Sequence, residues 1–377
     1  MVQHRTRAFL GVILSITLLT VGCSSGDGGG GTARPAGDTA AEVKAAEAAV
    51  AEATSEPTQI LITEPLKEKP IEGQTMVYLS SGDPSANQQE ALYREALEAV
   101  KWKLEVLPVD NTNPATTLDA MKTALTLTPK PKVVLFVAQP KAVWQSVIPA
   151  YEKAGVGLIA NVVGPLEIEG PVVANTNGPP YIEQMHSDIA NWFIADSEGT
   201  GKVLKYEVND LPVLSTGNDV FRETVKEGCS QCSVKVLAGS IAQASSGEGV
   251  PAMISALQAD PSIKYLITDY SAWFSGIRSA LNAAGLDDVK VGSTSALPTT
   301  LSDVKSGAQQ ATTLLNNAYL AWVGVDAALR FTAGQPVGPE HSNTPVRLIT
   351  SDTDFAIPEE PSPVDYQTQF KKLWNVG

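Results

Sequence analysis

The stretch Thr75-Met76-Val77-Tyr78-Leu79-Ser80-Ser81-Gly82-Asp83-Pro84-Ser85-Ala86-Asn87-Gln88 decides how the chain is read. Thr75 to Ser80 is an apolar, strand-like run. A polar turn follows, and Asn87 to Lys101 then carries Leu92, Ala96 and Val100 at the i, i+4 spacing of a helix. Ser85 and Gln88 have capping-box spacing at that helix's start. Strand, turn and amphipathic helix in this order are one unit of a parallel sheet flanked by helices.

Outward from this unit the rhythm repeats. Leu104 to Val109 and Thr117 to Leu125 form a second strand and helix, and Val133 to Ala138 and Ala142 to Lys153 a third pair. Val156 to Val162 and Val172 to Asn175 add strands. After a long helical stretch, Tyr181 to Ala195, strands are expected at Lys202 to Val208, Val234 to Ala238, Tyr265 to Thr268 and Val289 to Ser293. Helices are expected at Asp219 to Lys226, Pro251 to Gln258, Ala272 to Ala284 and Asn317 to Phe331. One sheet would need too many strands, so the pattern implies an α/β fold of two doubly wound parallel-sheet lobes.

The N-terminus carries a different signal. His4, Arg5 and Arg7 precede an apolar run, Ala8 to Val21, too short to span a bilayer comfortably. Leu19-Thr20-Val21-Gly22-Cys23 resembles a lipobox with Thr20 in place of the usual leucine, so residues 1–22 read as a signal peptide and Cys23 as a lipidation site. A Gly/Ser/Ala-rich tether follows, with Ala40 to Ala53 a marginal helix inside it, and the fold proper is expected to start near Thr75. The formal charge is −14. Such a surface disfavours nucleic acid and anionic headgroups, so membrane attachment would have to come from the lipid.

Cys229 and Cys232 remain. In an exported chain this spacing reads as a disulfide, with a redox centre or a metal site as alternatives. Closing so small a loop contributes at most about 2 kcal/mol, enough to pin a local turn and not the fold. No cofactor or metal is expected. Gly199-Thr200-Gly201-Lys202-Val203 lacks the phosphate-loop spacing, and Gly247-Glu248-Gly249-Val250-Pro251-Ala252 stands too far from its strand to seat a dinucleotide. Neither Gly-x-Ser-x-Gly nor His-Glu-x-x-His occurs, so nothing in the sequence argues for an enzyme.

Three further stretches carry a resemblance. They are Ala150-Tyr151-Glu152-Lys153-Ala154-Gly155-Val156-Gly157-Leu158-Ile159, Asp269 to Gly276 followed by Ala280-Leu281-Asn282-Ala283-Ala284-Gly285, and Ala318 to Pro336. In this order, over Thr75 to Gln335, the chain resembles the type I periplasmic binding proteins, specifically the ribose-binding-like substrate-binding components of ABC importers. The resemblance implies two lobes joined by a three-crossover hinge, with ligand held between them at the C-terminal strand ends.

On this basis the expected division is a signal peptide over 1–22, a lipidated cysteine and flexible tether over 23–74, an N-terminal lobe of 75–178 plus 316–335, and a C-terminal lobe of 179–315 plus 336–377. The implied ligand contacts are Ser81, Asp83, Asn87 and Gln88 on the first loop, Arg222 and Asp269 on the second lobe, and Asn316 at the third crossover. Asn161 stands where the sugar binders carry an aspartate. Trp144, Tyr181, Tyr270 and Trp273 offer stacking faces or else belong to the core. Arg222 also reads as a surface helix charge, Asp269 as a helix cap and Asn316 as a hinge residue. The implied function is a monomeric, lipid-anchored extracytoplasmic receptor that passes a small polar solute, a sugar or sugar-like molecule, to an ABC transporter permease. The alternatives are a sensing receptor of the same fold with a signalling partner, or a non-sugar solute such as an aromatic acid or nucleoside.

Overall fold

A computed structural model describes residues 38–110, 113–357 and 363–377. The signal peptide and the Cys23 lipidation site expected from the sequence lie outside the described residues. Helix α1 (Thr39–Ala53) comes first, begun by Asp38, whose carboxylate accepts from Ala41 N at 3.3 Å.

The first lobe then alternates β1 (Thr75–Ser80), α2 (Pro84–Glu98), β2 (Lys103–Pro108), α3 (Pro114–Ala124), β3 (Val133–Val137), α4 (Lys141–Trp144), α5 (Ile148–Ala154), β4 (Gly157–Asn161) and β5 (Val172–Thr176). Its sheet is parallel, in the order β2-β1-β3-β4-β5. Strands β1 and β4 are buried along their whole length because helices cover both faces, which is why they read as unbroken apolar runs.

The second lobe runs α6 (Pro179–Asp196), β6 (Lys202–Val208), α7 (Pro212–Gly228), β7 (Ser233–Gly239), α8 (Ile241–Ser246), α9 (Gly249–Gln258), β8 (Tyr265–Tyr270), α10 (Ile277–Ala283), β9 (Lys290–Ala296), α11 (Ser302–Lys305) and β10 (Ala311–Leu314). Then come α12 (Asn317–Thr332), β11 (Leu348–Thr350) and α13 (Tyr366–Leu373). The second sheet is ordered β11-β10-β9-β8-β6-β7, parallel except where β11 runs antiparallel to β10. Gly217 lets α6 and α7 close on one another, since a Cβ there would lie 2.4 Å from His186 Nδ1.

The chain is thus two doubly wound parallel α/β lobes, crossed between β5 and α6, between β10 and α12, and between α12 and β11. Two further passages join these three. The expectation that 336–377 stays with the second lobe is corrected at its end. Helix α13 returns to the first-lobe core, where Trp374 stacks on Trp322 with ring centroids 5.1 Å apart and donates from Nε1 to Asp326 Oδ1 at 2.7 Å. Asp326 also accepts from Arg330 Nε at 2.6 Å and faces His341 Nε2 at 2.7 Å, so one buried carboxylate ties α12, α13 and the intervening loop.

The expected tether over 23–74 is corrected as well. Ala46 of α1 is buried against Ile189, Ala190 and Phe193 of α6, and Ile60, Ile62 and Leu66 sit in the first-lobe core beside α12 and α13. An alanine-rich face has little to bury alone, but small side chains let two helices approach closely. The capping box at Ser85 is likewise replaced: Asp83 is the cap, accepting from Ser85 N at 2.8 Å and Ala86 N at 3.0 Å, with Pro84 at the first helical position.

Candidate functional site

In a parallel sheet each strand's C-terminal end turns into the N-terminus of the next helix, so loops from several strands converge on one edge. Here the two lobes meet at those edges. Ala138 and Gln139 after β3 and Val162 to Pro165 after β4 face Leu211 and Pro212 after β6 around a space of about 110 Å³. The approach is close: a Cβ on Gly164 would lie 2.7 Å from Pro212 Cβ.

On the first-lobe wall a polar pocket of about 80 Å³ opens between the end of β1 and the starts of α2 and α3. Ser81 and Asp83 line it, with Gln89, Thr117 and Gln139. Ser81 Oγ donates to Asp83 Oδ2 at 2.6 Å, and this bond together with the Ala86 and Ser85 amides holds the Asp83 carboxyl below its ordinary range. Thr117 Oγ1 and Gln89 Oε1 are buried without a hydrogen-bond partner, an arrangement that a bound hydroxyl or water relieves. Asn87 and Gln88 are exposed on the first turns of α2, and Asn87 Nδ2 donates to Gly82 O at 3.1 Å. Asn161, at the end of β4, is buried with its side-chain oxygen unpartnered.

The second-lobe wall is aromatic. Tyr270, the last residue of β8, and Trp273, in the turn that follows, are half-buried and meet edge to face with centroids 5.3 Å apart. The Tyr270 hydroxyl is pushed up by burial and, to a lesser extent, by the Asp83 carboxylate.

Four expected contacts are engaged within the protein. Trp144 is wholly buried in the first-lobe core against Phe136, and its Nε1 donates to Gln139 O at 3.0 Å, so its face is taken. Arg222 lies ten residues into α7. Its guanidinium is paired with Glu207 and Asp219.

Asp269 is fully buried beneath the second-lobe sheet edge. It pairs with the Lys205 ammonium, accepts from Val208 N at 2.9 Å and Asn218 Nδ2 at 3.2 Å, and faces His186 Nε2 at 3.3 Å. Burial alone would raise its pKa, but Lys205 and His186 outweigh that and hold it well below the carboxylate range. Asn316 caps α12 by accepting from Tyr319 N at 3.2 Å, and the nearby Tyr181 hydroxyl bridges Leu314 O and Asn316 N, so both serve the hinge. Gln139, Gly164, Leu211 and Pro212 went unread, because only the meeting of two lobes makes them neighbours. Cys229 and Cys232 form a disulfide with a Cα–Cα distance of 5.4 Å, in the loop that receives α1: Ser230 N and Oγ donate to Glu42 Oε2 at 2.9 and 3.0 Å.

No family model matches this sequence, and no curated protein is similar to it. Solved structures are similar in fold. An ABC sugar transporter subunit from Rhodobacter sphaeroides superposes with TM-score 0.61 at 18% identity, over 74% of this chain and 99% of that one. A solute-binding protein of an ABC transporter from Agrobacterium vitis, with bound allitol, gives 0.62 at 17%, over 75% and 97%. A periplasmic ribose ABC transporter protein from Conexibacter woesei gives 0.63 at 15%, over 76% and 94%.

Proposed function

We propose that this chain, which has the type I periplasmic-binding-protein fold, captures a small, neutral, hydroxylated molecule between its lobes, a sugar or sugar-like solute, and delivers it to an ABC transporter permease. The observation that supports the reading is the make-up of the two sheet edges: the Tyr270–Trp273 aromatic pair stands at the end of β8 in one lobe, and the Ser81–Asp83 polar pocket at the end of β1 in the other. A sugar ring has an apolar face for the first and hydroxyl edges for the second. The names of the similar structures, which concern sugars and a polyol, agree with this reading.

Asn161, Asn87 and Gln88 are the further candidates for hydroxyl contacts. The protein works outside the cytoplasm, held to the membrane by lipid on Cys23, with a role in capture and not in catalysis. A thermal-shift screen of sugars, polyols, nucleosides and aromatic acids tests the ligand class, because a ligand at 100 times its Kd stabilises by about 2.7 kcal/mol. Stabilisation by sugars or polyols is expected. Stabilisation only by nucleosides or aromatic acids would replace the sugar assignment, and turnover of a bound ligand would replace the receptor role.

A further inference from the structure

A second cavity lies away from the cleft. It is an open hollow of about 610 Å³ between α1, α6 and the 343–346 segment that leads into β11. This is within the range of small-molecule sites and far larger than the spaces at the cleft. Its walls combine carboxylates, Glu52, Glu56 and Asp188, with apolar patches at Leu61 and Val346, and among the described residues that line it none is cationic.

Asp188 is 5% exposed and accepts a hydrogen bond at Oδ1 from Gln184 Nε2 at 2.7 Å. Burial and repulsion from Glu52 push its carboxyl up to about 6 against that hydrogen bond. A separate observation comes from the same lining. Thr344, 2% exposed, leaves its Oγ1 without a partner beside the same cavity. A buried carboxylate repelled by an exposed one, with an unused buried hydroxyl in the same lining, is relieved by a positive charge that also donates hydrogen bonds. A bare divalent ion would need six or more oxygens drawn in to about 2.0–2.6 Å, which a cavity this wide with apolar patches does not offer. An organic cation fills the volume and uses both kinds of wall.

We propose that this cavity is a second binding site, for a small organic amine, whose ammonium is held by Asp188, Glu52 and Thr344 while its carbon chain lies against Leu61 and Val346. The site is independent of the cleft.

The test is isothermal titration of the full chain with 1,4-diaminobutane, using 1,4-butanediol as the neutral match. Saturable binding of the diamine and none of the diol are expected. Asp188→Asn should weaken diamine binding at least about tenfold, and Glu52→Gln several-fold, because each removes a charge-assisted contact. Asn can still accept from Gln184, and Glu52 is exposed, so melting curves of both variants report intact folding. Equal affinity of diol and diamine, no saturation up to roughly tenfold above a millimolar Kd, or unchanged binding in Asp188→Asn would each overturn the assignment. Loss of diamine binding in Asp83→Asn but not in Asp188→Asn would put the amine in the cleft and overturn it too. No sugar enters this experiment, so its failure is separate from failure of the proposed receptor role.

Discussion

Asp269→Asn is the substitution that separates a structural carboxylate from a ligand contact. Lys205 and Asp269 are both fully buried and paired with each other, and Val208 N and Asn218 Nδ2 also donate to Asp269. Asparagine keeps the shape and one acceptor oxygen but leaves the Lys205 ammonium buried without a counter-charge. Removing one partner of such a pair costs about 3–5 kcal/mol. At about 2–4 °C per kcal/mol for a lobe-sized unit, the melting temperature should fall by roughly 6–20 °C.

Adding Lys205→Met, which removes the stranded charge and keeps an apolar stem, should restore at least about half of the loss, since a buried pair replaced on both sides is often near neutral. Urea denaturation followed by circular dichroism measures each variant. The pH dependence has a definite sign: the folded pKa of Asp269 is depressed, so its stabilisation is present above the unfolded value of about 3.9 and is lost as pH falls through the folded one. The parent should therefore lose stability on acidification more steeply than Asp269→Asn. A single variant within about 1 kcal/mol of the parent, against the expected 3–5, or a double variant no more stable than the single, would refute the buried-pair argument.

Asp83→Asn, which preserves the α2 cap, should weaken cleft-ligand binding about ten- to 150-fold through loss of a charged acceptor, and Tyr270→Ala about tenfold, both read by titration with the ligand the screen finds. Gly164→Val places methyl groups where the lobes already touch at Pro212, so it should weaken the same ligand by holding the lobes apart while leaving the unliganded melting temperature unchanged; parental affinity would show that closure does not use this contact. Cys23→Ala should move the protein from the membrane fraction to the soluble export fraction, and membrane association that persists would count against lipidation. Asp188 has its folded pKa raised to about 6, so the folded state binds more protons than the unfolded state between about 4 and 6 and stability falls as pH rises through that window. Asp188→Asn should remove that fall and melt higher than the parent at neutral pH, and a variant that melts lower would contradict it.

The alternation of strand and helix was legible because it is local. A buried parallel strand must be apolar along its length, and a covering helix must be apolar on one stripe, so β1, β6 and α12 fall within a residue of where the pattern put them. Short or partnered elements were not: β11 has three residues, and α13 has meaning only once Phe370 and Trp374 meet Tyr319 and Trp322. The first-loop candidates Ser81 and Asp83 were legible because a loop after a first strand lies at the sheet's C-terminal edge whatever the tertiary detail. For Arg222, Asp269 and Trp144 residue type alone did not say which neighbour a charge or an indole would find: Trp144 and Asp269 are buried, and Arg222 pairs with Glu207 and Asp219.

The sequence by itself determined the class of the fold, two wound lobes, since it is written in runs of neighbouring residues. The tertiary structure alone decided that Lys205 neutralises Asp269, that Glu207 and Asp219 occupy Arg222, and that α1 packs on the second lobe while Ile60 to Leu66 pack in the first. The physical reason is range: backbone pattern is set by contacts a few residues apart, whereas a buried charge takes whichever partner packing brings within hydrogen-bond distance, and Lys205 and Asp269 are 64 residues apart in the chain.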